Sequence, residues 1–489
     1  MTDILIGRRF EQQQLQKAFD SKESEFIAIY GRRRIGKTFL ILNFFERKSC
    51  VFFYVSGINH SPLELQLKEF KNQIEQIFYA DKKGTKLQVP ENWMDALQML
   101  TDAVNIFAGR RKVILFFDEF PWMATHKSGL LQALDYYWNR YWTRHSKIKL
   151  IICGSAATWI IDNILNNKGG LHNRVTLRMR LEPFTLYETK CYLKQRGIHF
   201  SQQHILQLYL CIGGIPYYLR FINKKLSAIQ NINQLCFHKK GILTDEFNNL
   251  FSSLFDQAEI HEQIIKLIAS KRGGMDRVEI ENTLSYKGGS LSKRLKELEE
   301  AGFISAFTPY GKVRGVYYKV IDEYTLFYLT WIMADTKNRL TKEITDEYWE
   351  YVSQTSAWKA WSGYAFEAIC YKHIKNIQMA LKIPSGTTVT TWRYIPGKKE
   401  KTEGAQIDLL FDRLDGIVQL CEIKYCSSPY KINKDYAKVL IQKSEVYQKI
   451  TKTKKQIFIS MITSCHLQKN MYSEEIITSE ATLDDLFEA

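Results

Sequence analysis

The 489-residue sequence has no apolar run that approaches the ~20 residues of a membrane-spanning helix. Its first residues also lack a basic segment followed by a long apolar stretch, so we expect no signal peptide and no membrane partner. The nine cysteines form no C-x-x-C pair and no cysteine–histidine cluster with zinc-binding spacing. Scattered thiols of this kind are typical of a reducing compartment. We therefore expect a cytoplasmic protein without disulfides or structural zinc.

The basic excess of the chain lies in its first half. Residues 1–240 contain 35 Lys and Arg against 19 Asp and Glu, which accounts for the whole net charge of +16. Residues 241–338 contain 12 against 14, and residues 339–489 contain 21 against 19. The excess is typical of a surface for DNA phosphates, but a general solubility charge explains it equally well.

One segment combines glycine, lysine and threonine at a fixed spacing. Residues 31–38 read GRRRIGKT, which matches the G-x-x-x-x-G-K-[ST] phosphate-binding loop. An apolar run of strand type, 26–30, precedes the loop, and a run that suits a helix, 39–45, follows it. Strand, loop and helix in this order are the context in which the pattern forms a nucleotide site. A chance glycine turn is the alternative, and it is rare in this context.

Each residue type in the loop has a physical role. Gly31 and Gly36 let the backbone curl so that its N–H groups point at phosphate oxygens. Lys37 is expected to reach the β- and γ-phosphates of ATP, and the Thr38 hydroxyl is expected to bind Mg²⁺. The predicted ATP-binding residues of this segment are Gly31, Arg32, Arg33, Arg34, Ile35, Gly36, Lys37, Thr38 and Phe39.

A second strand ends in two carboxylates. Residues 112–119 read KVILFFDE, a buried type of strand followed by Asp118 and Glu119. Beside a phosphate loop, Asp118 is expected to hold Mg²⁺, and Glu119 is our candidate for the base that polarises the attacking water. A strand that ends in a turn is the simpler explanation of the pair alone. Together with the loop, the pair favours a hydrolase over a nucleotide-binding switch.

Ser155 follows a further strand-like run, 150–153. In additional-strand ATPases the tip of such a strand lies between the acidic strand and the γ-phosphate, so Ser155 is a candidate sensor of that phosphate. A serine that simply starts the next turn explains the position nearly as well.

Arg174 lies in the loop 170–174, just before the strand-like run 175–177. An arginine here can supply positive charge to a transferring phosphate, either in its own subunit or in a neighbour of a homo-oligomer. An ordinary surface arginine is the alternative.

Five motifs in this order resemble the prokaryotic AAA-like ATPases of the archaeal-ATPase family, over roughly residues 1–235. The segment 7–11, GRRFE, is also similar to the start of that family's domain. The resemblance implies a sensor role for Ser155, a helical lid at residues 213–219, and an arginine that acts on phosphate at Arg174. The motifs are GRRRIGKT, FFDEF, CGSA, LHNR and GGIPYYL.

The middle of the chain changes character. Apolar spacing predicts helices at 262–269, 275–284 and 290–298, and two strands at 303–307 and 315–320. Three helices and a hairpin are typical of a winged helix-turn-helix, whose third helix enters the major groove of DNA in DNA-binding examples.

DNA contact by this segment competes with a packing role. The segment is slightly acidic overall, and Glu297, Glu299 and Glu300 immediately follow the basic part of the third helix. Ser290 is the expected N-cap of that helix. The candidate DNA contacts are Lys293, Arg294, Lys296, Lys312 and Arg314.

The last third of the chain contains a second group of charged residues. Two strand-like runs, 404–411 and 418–425, carry Asp408 on the first and Glu422 and Lys424 on the second. Strand alternation puts Glu422 and Lys424 on one face. Asp408 and Glu422 supply the oxygen ligands that a divalent metal prefers, and Lys424 is a candidate to orient the attacking water. A charged strand face at the protein surface explains the pattern equally well.

These residues resemble the PD-(D/E)xK restriction-endonuclease-like arrangement. Glu367, on one long helix predicted over 358–377, matches an extra metal-binding carboxylate that some members carry, and a helix at 435–450 follows the second strand. Ile407 stands where the usual proline precedes the first acid. The region also resembles a C-terminal domain of unknown function that is often fused to archaeal-type ATPases.

The sequence therefore predicts an α/β protein of three domains. These are a P-loop ATPase domain with a parallel sheet and helical lid (1–240), a winged helix (241–338) and a nuclease-like α/β domain (339–489). We expect an ATP- and Mg²⁺-dependent ATPase that is associated with DNA and acts on the nuclease-like domain. The alternatives are a regulatory switch or a transcription regulator whose last domain is an inactive binding module.

Overall fold

A computed structural model describes residues 5–80, 86–166, 171, 173–284, 286–308, 315–334, 347–397 and 403–489. The chain divides into two compact units, Met1–Pro183 and Phe184–Ala489. The three domain borders given above stay a prediction.

The first unit is built on a parallel sheet of five strands in the order β2-β3-β4-β1-β5. The three central strands β1, β3 and β4 are almost completely buried, because helices pack on both faces of a parallel sheet. Parallel strands also end at one edge, which brings together the segments that follow β1, β3 and β4. The strands are β1 (Glu25–Tyr30), β2 (Cys50–Ser56), β3 (Lys112–Asp118), β4 (Ile148–Gly154) and β5 (Leu177–Arg180).

Helices cover this sheet and complete its core. Aromatic side chains from the helices pack against the strands, as Phe70 does in edge-to-face contacts with Phe53 and Phe117. Asn92 begins one of these helices by accepting a hydrogen bond from the backbone N–H of Asp95. The helices are α1 (Arg9–Asp20), α2 (Lys37–Glu46), α3 (Leu63–Phe78), α4 (Trp93–Phe107), α5 (Phe120–Met123), α6 (Leu130–Arg140) and α7 (Ala157–Ile160).

The second unit begins with helices. The chain turns sharply near residue 213: Gly213 has a φ of +64°, and a short helix starts at Pro216. The Cβ of any residue at Gly214 would lie 1.9 Å from the carbonyl oxygen of Phe184, so only glycine fits there. The helices are α8 (Leu186–Gln195), α9 (Gln202–Ile212), α10 (Pro216–Leu219), α11 (Ala228–Cys236) and α12 (Glu246–Leu254).

A helix–hairpin segment, residues 258–320, follows. Its last helix buries Leu291, Leu295 and Leu298 on one face, as its spacing predicts. A three-stranded antiparallel sheet in the order β6-β8-β7 replaces the expected two-stranded hairpin. The elements are α13 (Ala258–Ala269), β6 (Met275–Asp276), α14 (Arg277–Thr283), α15 (Gly288–Glu300), β7 (Ile304–Phe307) and β8 (Tyr317–Val320).

The rest of the second unit contains a mixed sheet in the order β13-β12-β11-β10-β9. Strands β9, β10 and β11 are antiparallel, whereas β12 and β13 run parallel to β11. The strands are β9 (Thr388–Tyr394), β10 (Ala405–Asp412), β11 (Ile417–Lys424), β12 (Gln456–Thr463) and β13 (Ile477–Ala481). The helices are α16 (Glu323–Phe327), α17 (Tyr348–Val352), α18 (Ser356–Lys372), α19 (Ile374–Ala380), α20 (Lys434–Thr451), α21 (Met471–Ile476) and α22 (Leu483–Leu486).

Three sequence expectations about elements are wrong in detail. The strand expected at 175–177 runs over Leu177–Arg180, where β1 provides its hydrogen-bonding partner. Ser290 does not cap α15, because the helix already starts at Gly288 after Lys287. The single helix expected over 358–377 is interrupted at His373, whose φ of −109° and ψ of 27° are not helical.

Candidate functional site

The phosphate-binding loop lies between β1 and α2, at the carboxyl edge of the parallel sheet. Gly31 has a φ of +134°, and a Cβ there would lie 2.3 Å from the backbone oxygen of Leu181. Gly36, with a φ of +88°, forms the N-cap of α2. Both glycines are therefore required by the backbone itself. A glycine-bounded loop that leads into the N-terminus of a helix suits phosphate, because free N–H groups and the positive end of the helix favour an anion there.

Lys37 lies inside this loop. Its Nζ donates hydrogen bonds to the carbonyl oxygens of Gly31 at 3.0 Å and Arg32 at 2.8 Å. Burial lowers the pKa of Lys37, and the charges of Glu119 and Asp118 oppose that change. The ammonium is thus held at the centre of the loop, where it can contact the β- and γ-phosphates.

Thr38 and Asp118 meet as the sequence predicts. The Thr38 hydroxyl donates to Oδ2 of Asp118 at 2.7 Å, and the other oxygen, Oδ1, accepts from the backbone N–H of Glu119 at 3.0 Å. A hydroxyl and a carboxylate in contact fit the protein ligands of a nucleotide-bound Mg²⁺. That ion would neutralise phosphate charge, and these two residues would fix its place at the end of β3.

Glu119 is oriented by Ser155. Its Oε2 accepts hydrogen bonds from the Ser155 hydroxyl at 3.1 Å and from the Ser155 backbone N–H at 3.2 Å. Glu119 itself has a φ of +43°, a left-handed conformation that few residues with a side chain adopt. A Cβ at residue 57 would lie only 2.5 Å from the Glu119 carbonyl oxygen. The two segments can therefore approach this closely only because residue 57 is glycine. The tip of β4 therefore holds the candidate base.

Two residues near the loop have no role in the sequence prediction. Arg8 is 4% exposed and donates from Nη2 to the carbonyl oxygen of Ile35 at 3.2 Å, so it braces the loop from outside. Cys153 lies at the end of β4, and burial, followed by the charge of Asp118, raises the pKa of its thiol. The GRRFE segment was the sequence signal that could have identified Arg8. The proximity of Cys153 to Asp118 depends on the order of the strands in the sheet.

Arg174 does not reach the phosphate loop of its own unit. Ile27 is level with Leu177 and Tyr30 with Arg180 in the parallel pair β1 and β5. The phosphate loop follows Tyr30, whereas Arg174 precedes Leu177 and so lies beyond the amino end of β5. Measured along the strand direction, Arg174 is at least roughly 13 Å from the level of the loop. Its side chain is exposed. Residues 170 and 172 of the same predicted loop lie outside the described residues.

The second unit brings together the C-terminal residues predicted to form a site. Asp408 and Glu422 lie on neighbouring antiparallel strands, whose register pairs Leu409 with Cys421. Oδ2 of Asp408 accepts a hydrogen bond from the backbone N–H of Ile423 at 3.0 Å. We call Glu367, Asp408, Glu422 and Lys424 the carboxylate pocket.

Glu422 is surrounded by partners that the sequence prediction missed. The residue is 3% exposed. One carboxylate oxygen forms an ion pair with Lys443, and the other lies 3.6 Å from Nζ of Lys424 and 3.1 Å from the Tyr436 hydroxyl, which donates to it. Tyr436 and Lys443 are seven residues apart on α20, which Asn433 caps, so they face the pocket together.

The other two acids share a buried environment. Burial, followed by the charge of Asp408, raises the pKa of Glu367 to about 7. Burial and then the charge of Glu422 raise the pKa of Asp408, while the hydrogen bond from Ile423 opposes the change. Across the residues that the structure describes, no group of three or more His, Cys, Asp and Glu side chains is arranged to hold a metal ion. The carboxylate pocket would therefore have to rearrange around such an ion.

The loop, the acidic strand and the serine at the tip of β4 lie together as in the nucleotide site of a P-loop ATPase. Comparison with protein families agrees with this class: residues 5–222 match the family described as an ATPase domain predominantly from Archaea. This part of the chain is an ATPase domain and binds ATP. No helix among the described residues is long and apolar enough to cross a membrane.

Known proteins are similar over longer stretches. The chain is 26% identical over 387 residues to the uncharacterised protein MJECL04 of Methanocaldococcus jannaschii, covering 78% of this chain and 80% of that protein. The Walker-type ATPase PABY2304 of Pyrococcus abyssi is similar with a TM-score of 0.48 and 16% identity, over 66% of this chain and 96% of that one. The ORC2 protein of Aeropyrum pernix, in its ADPNP–ADP complexes, is similar with a TM-score of 0.43 and 15% identity, over 70% and 97%.

Proposed function

We propose that this ATPase is associated with DNA and couples ATP hydrolysis to a nuclease-like C-terminal domain. The observation that carries the proposal is the pairing of Asp408 with the strand that bears Glu422 and Lys424. Oδ2 of Asp408 accepts a hydrogen bond from the backbone N–H of the residue between those two. Two acids and a lysine on adjacent strands are the arrangement that the PD-(D/E)xK resemblance implies. In this proposal Asp408, Glu422 and Glu367 hold a divalent metal, and Lys424 orients or activates water.

The topology of the surrounding sheet supports the same proposal. Three antiparallel strands are followed by α20 and then by a strand parallel to β11. The order of helix with Glu367, strand with Asp408, strand with Glu422 and Lys424, and helix is the one expected from the sequence. The donor set of carboxylates also suits Mg²⁺ or Mn²⁺.

DNA association rests on the helix–hairpin segment and on charge. Three helices and a small antiparallel sheet support a winged-helix role. Lys293 is well exposed on α15, but Arg294 is mostly buried, where it contacts Glu297 and Gln257. Lys293 and Lys296 are therefore better candidates for DNA contact than Arg294, and Lys312 and Arg314 lie outside the described residues. The basic excess of residues 1–240 adds a second surface for phosphates.

Assembly and location follow from two further features. The exposed Arg174 at the opposite edge of the sheet favours a homo-oligomer in which it serves a neighbouring ATP site. The described cysteines are free thiols, which supports a cytoplasmic location.

A regulatory switch, or a transcription regulator that uses the winged helix, is the second candidate. The ion pairs of Glu422 with Lys443 and Lys424 favour it, because a carboxylate neutralised by two lysines gains less from a metal. In that case the C-terminal domain binds a partner without cutting DNA.

The two candidates differ in Mn²⁺-dependent cleavage of DNA by the full-length protein. We expect cleavage of linear, circular or single-stranded DNA by the parent protein, and its loss in Asp408→Asn and in Lys424→Ala. Asp415→Asn, a change at an exposed residue of the next turn, is the matched control and should cut normally. ATP hydrolysis should be equal in all four proteins. No cleavage of any DNA form by the parent would favour the switch.

A further inference from the structure

One face of α18 carries an acid between two aromatic rings. Tyr364, Glu367 and Tyr371 are spaced i, i+3 and i+7, so their side chains lie in one row along the helix. The Tyr371 hydroxyl donates a hydrogen bond to the backbone oxygen of Asp408, which fixes this row against β10. Glu367 and Asp408 thus border the same space.

Lys319 enters this space from β8 of the helix–hairpin segment. Its Nζ lies 5.1 Å from the ring centroid of Tyr364 and 5.3 Å from that of Tyr371. Residues seven apart on a helix are separated by about 10.5 Å along its axis. That separation lets one ammonium contact both rings, so Nζ of Lys319 lies on the face of α18 on which Glu367 stands between them.

The charges agree with this position. Burial lowers the pKa of Lys319, and the charges of Glu367 and then Asp408 are the influences that oppose it. In turn, the charge of Lys319 counteracts the rise in the pKa of Glu367. The ammonium is therefore a neighbour of both acids.

Other contacts of the second unit hold Lys319 there. The guanidinium of Arg272, from the turn before β6, lies 5.6 Å from the centroid of the Tyr364 ring. Lys372, at the end of α18, forms an ion pair of 2.7 Å with Glu323, a few residues after Lys319. Both contacts join α18 to residues close to the strand that carries Lys319.

We propose that Lys319 is a tethered cation of the carboxylate pocket that competes with a divalent metal for Glu367 and Asp408. The inference rests on the proposed function, because it concerns the regulation of the same pocket. A metal ion and an ammonium cannot neutralise the same two acids at close range without repelling each other. Metal loading therefore requires the Lys319 side chain to withdraw from the two acids.

The test is titration of Mn²⁺ into the full-length protein, followed by calorimetry without nucleotide. The heat that Asp408→Asn removes in each background belongs to this pocket and not to the phosphate loop. We expect Lys319→Met to bind Mn²⁺ about tenfold more tightly than the parent, because the pocket no longer has to be vacated first. Lys319→Arg keeps the cation and should bind as the parent does. Lys287→Met, the same change at an exposed lysine of the segment, is the matched control.

Each outcome decides something. Equal Mn²⁺ affinity of the parent, Lys319→Met and Lys319→Arg overturns the tethered cation and leaves the metal site standing. Absence of Asp408-dependent binding in every protein overturns the metal site and the competition together. If Lys319→Met fails to fold in a melting experiment, Lys319→Gln with Lys319→Arg gives the same comparison.

Discussion

At the scale of residues, the ATPase site depends on side chains whose positions are fixed before nucleotide binds. Glu119 is held by two hydrogen bonds from Ser155, and Lys37 by two carbonyl oxygens of its own loop. A base that is already oriented loses little entropy on reaching the transition state. We accordingly infer that Ser155 is a positioning residue, since its hydroxyl and its backbone N–H both donate to Glu119.

We predict that Glu119→Gln binds ATP with parent affinity but turns it over slowly. The amide keeps the shape of the side chain and loses the basicity that polarises water, so kcat should fall about 10²- to 10⁴-fold. Lys37→Ala should instead lose ATP affinity, because it removes the cation from the phosphates. Binding of a fluorescent ATP analogue and steady-state hydrolysis separate the two effects. Hydrolysis by Glu119→Gln at the parent rate would assign the base to another carboxylate.

Sequence reasoning located the residues that belong to motifs and missed those that arrive by packing. The contact of Thr38 with Asp118 follows from strand order, since both segments leave the same edge of the sheet. The pairing of Glu422 with Lys443 depends on which face of α20 turns inward, and that is decided by the whole sheet. The seven-residue spacing of Tyr436 and Lys443 predicts that they share one helix face, but it does not predict which residue they contact.

At the scale of elements, the break between α18 and α19 is the clearest departure from the sequence pattern. Helical spacing continues through 358–377, so periodicity alone gives no reason for a break. His373 is 3% exposed, and both of its ring nitrogens are engaged. Nδ1 lies 2.9 Å from the carbonyl oxygen of Ile369, while Nε2 accepts from the backbone N–H of Leu186 at 3.2 Å. Only a neutral ring can make both contacts.

We predict that this junction makes the second unit less stable in acid. Burial lowers the pKa of His373 in the folded protein, whereas the unfolded chain titrates near 6.5. Above both pKa values His373 is neutral in the folded and in the unfolded protein, and its contribution to stability is complete. Below about pH 6.5 the unfolded state binds a proton first, so the free energy of unfolding falls by at most about 1.4 kcal/mol per pH unit until the folded pKa is reached.

Urea denaturation between about pH 7.5 and 5.5 measures this contribution. His373→Gln should show a smaller loss of stability over that range than the parent. His199→Gln, a change at an exposed histidine of the same unit, should behave as the parent does. Parallel curves for the parent and His373→Gln would contradict the assignment.

At the scale of the whole molecule, the position of Arg174 has a consequence for assembly. A complete ATPase of this class needs positive charge at the transferring phosphate beyond that of Lys37. Arg174 is exposed and lies at the amino end of β5, whereas the phosphate loop lies at the carboxyl end of β1. Within one subunit it therefore cannot supply that charge. Sequence alone left both a cis and a trans role open, because strand register is a property of the folded sheet.

We therefore predict that Arg174 acts in trans between identical subunits. Arg174→Ala and Glu119→Gln should each hydrolyse ATP poorly alone, but mixing them creates interfaces where an intact Glu119 meets an intact Arg174. Turnover should recover partly and pass through a maximum at an intermediate mixing ratio. Arg178→Ala, a change at an exposed arginine of β5, is the control and should hydrolyse ATP alone. Absence of recovery at every ratio, with both variants assembling as the parent does, would rule out the trans role.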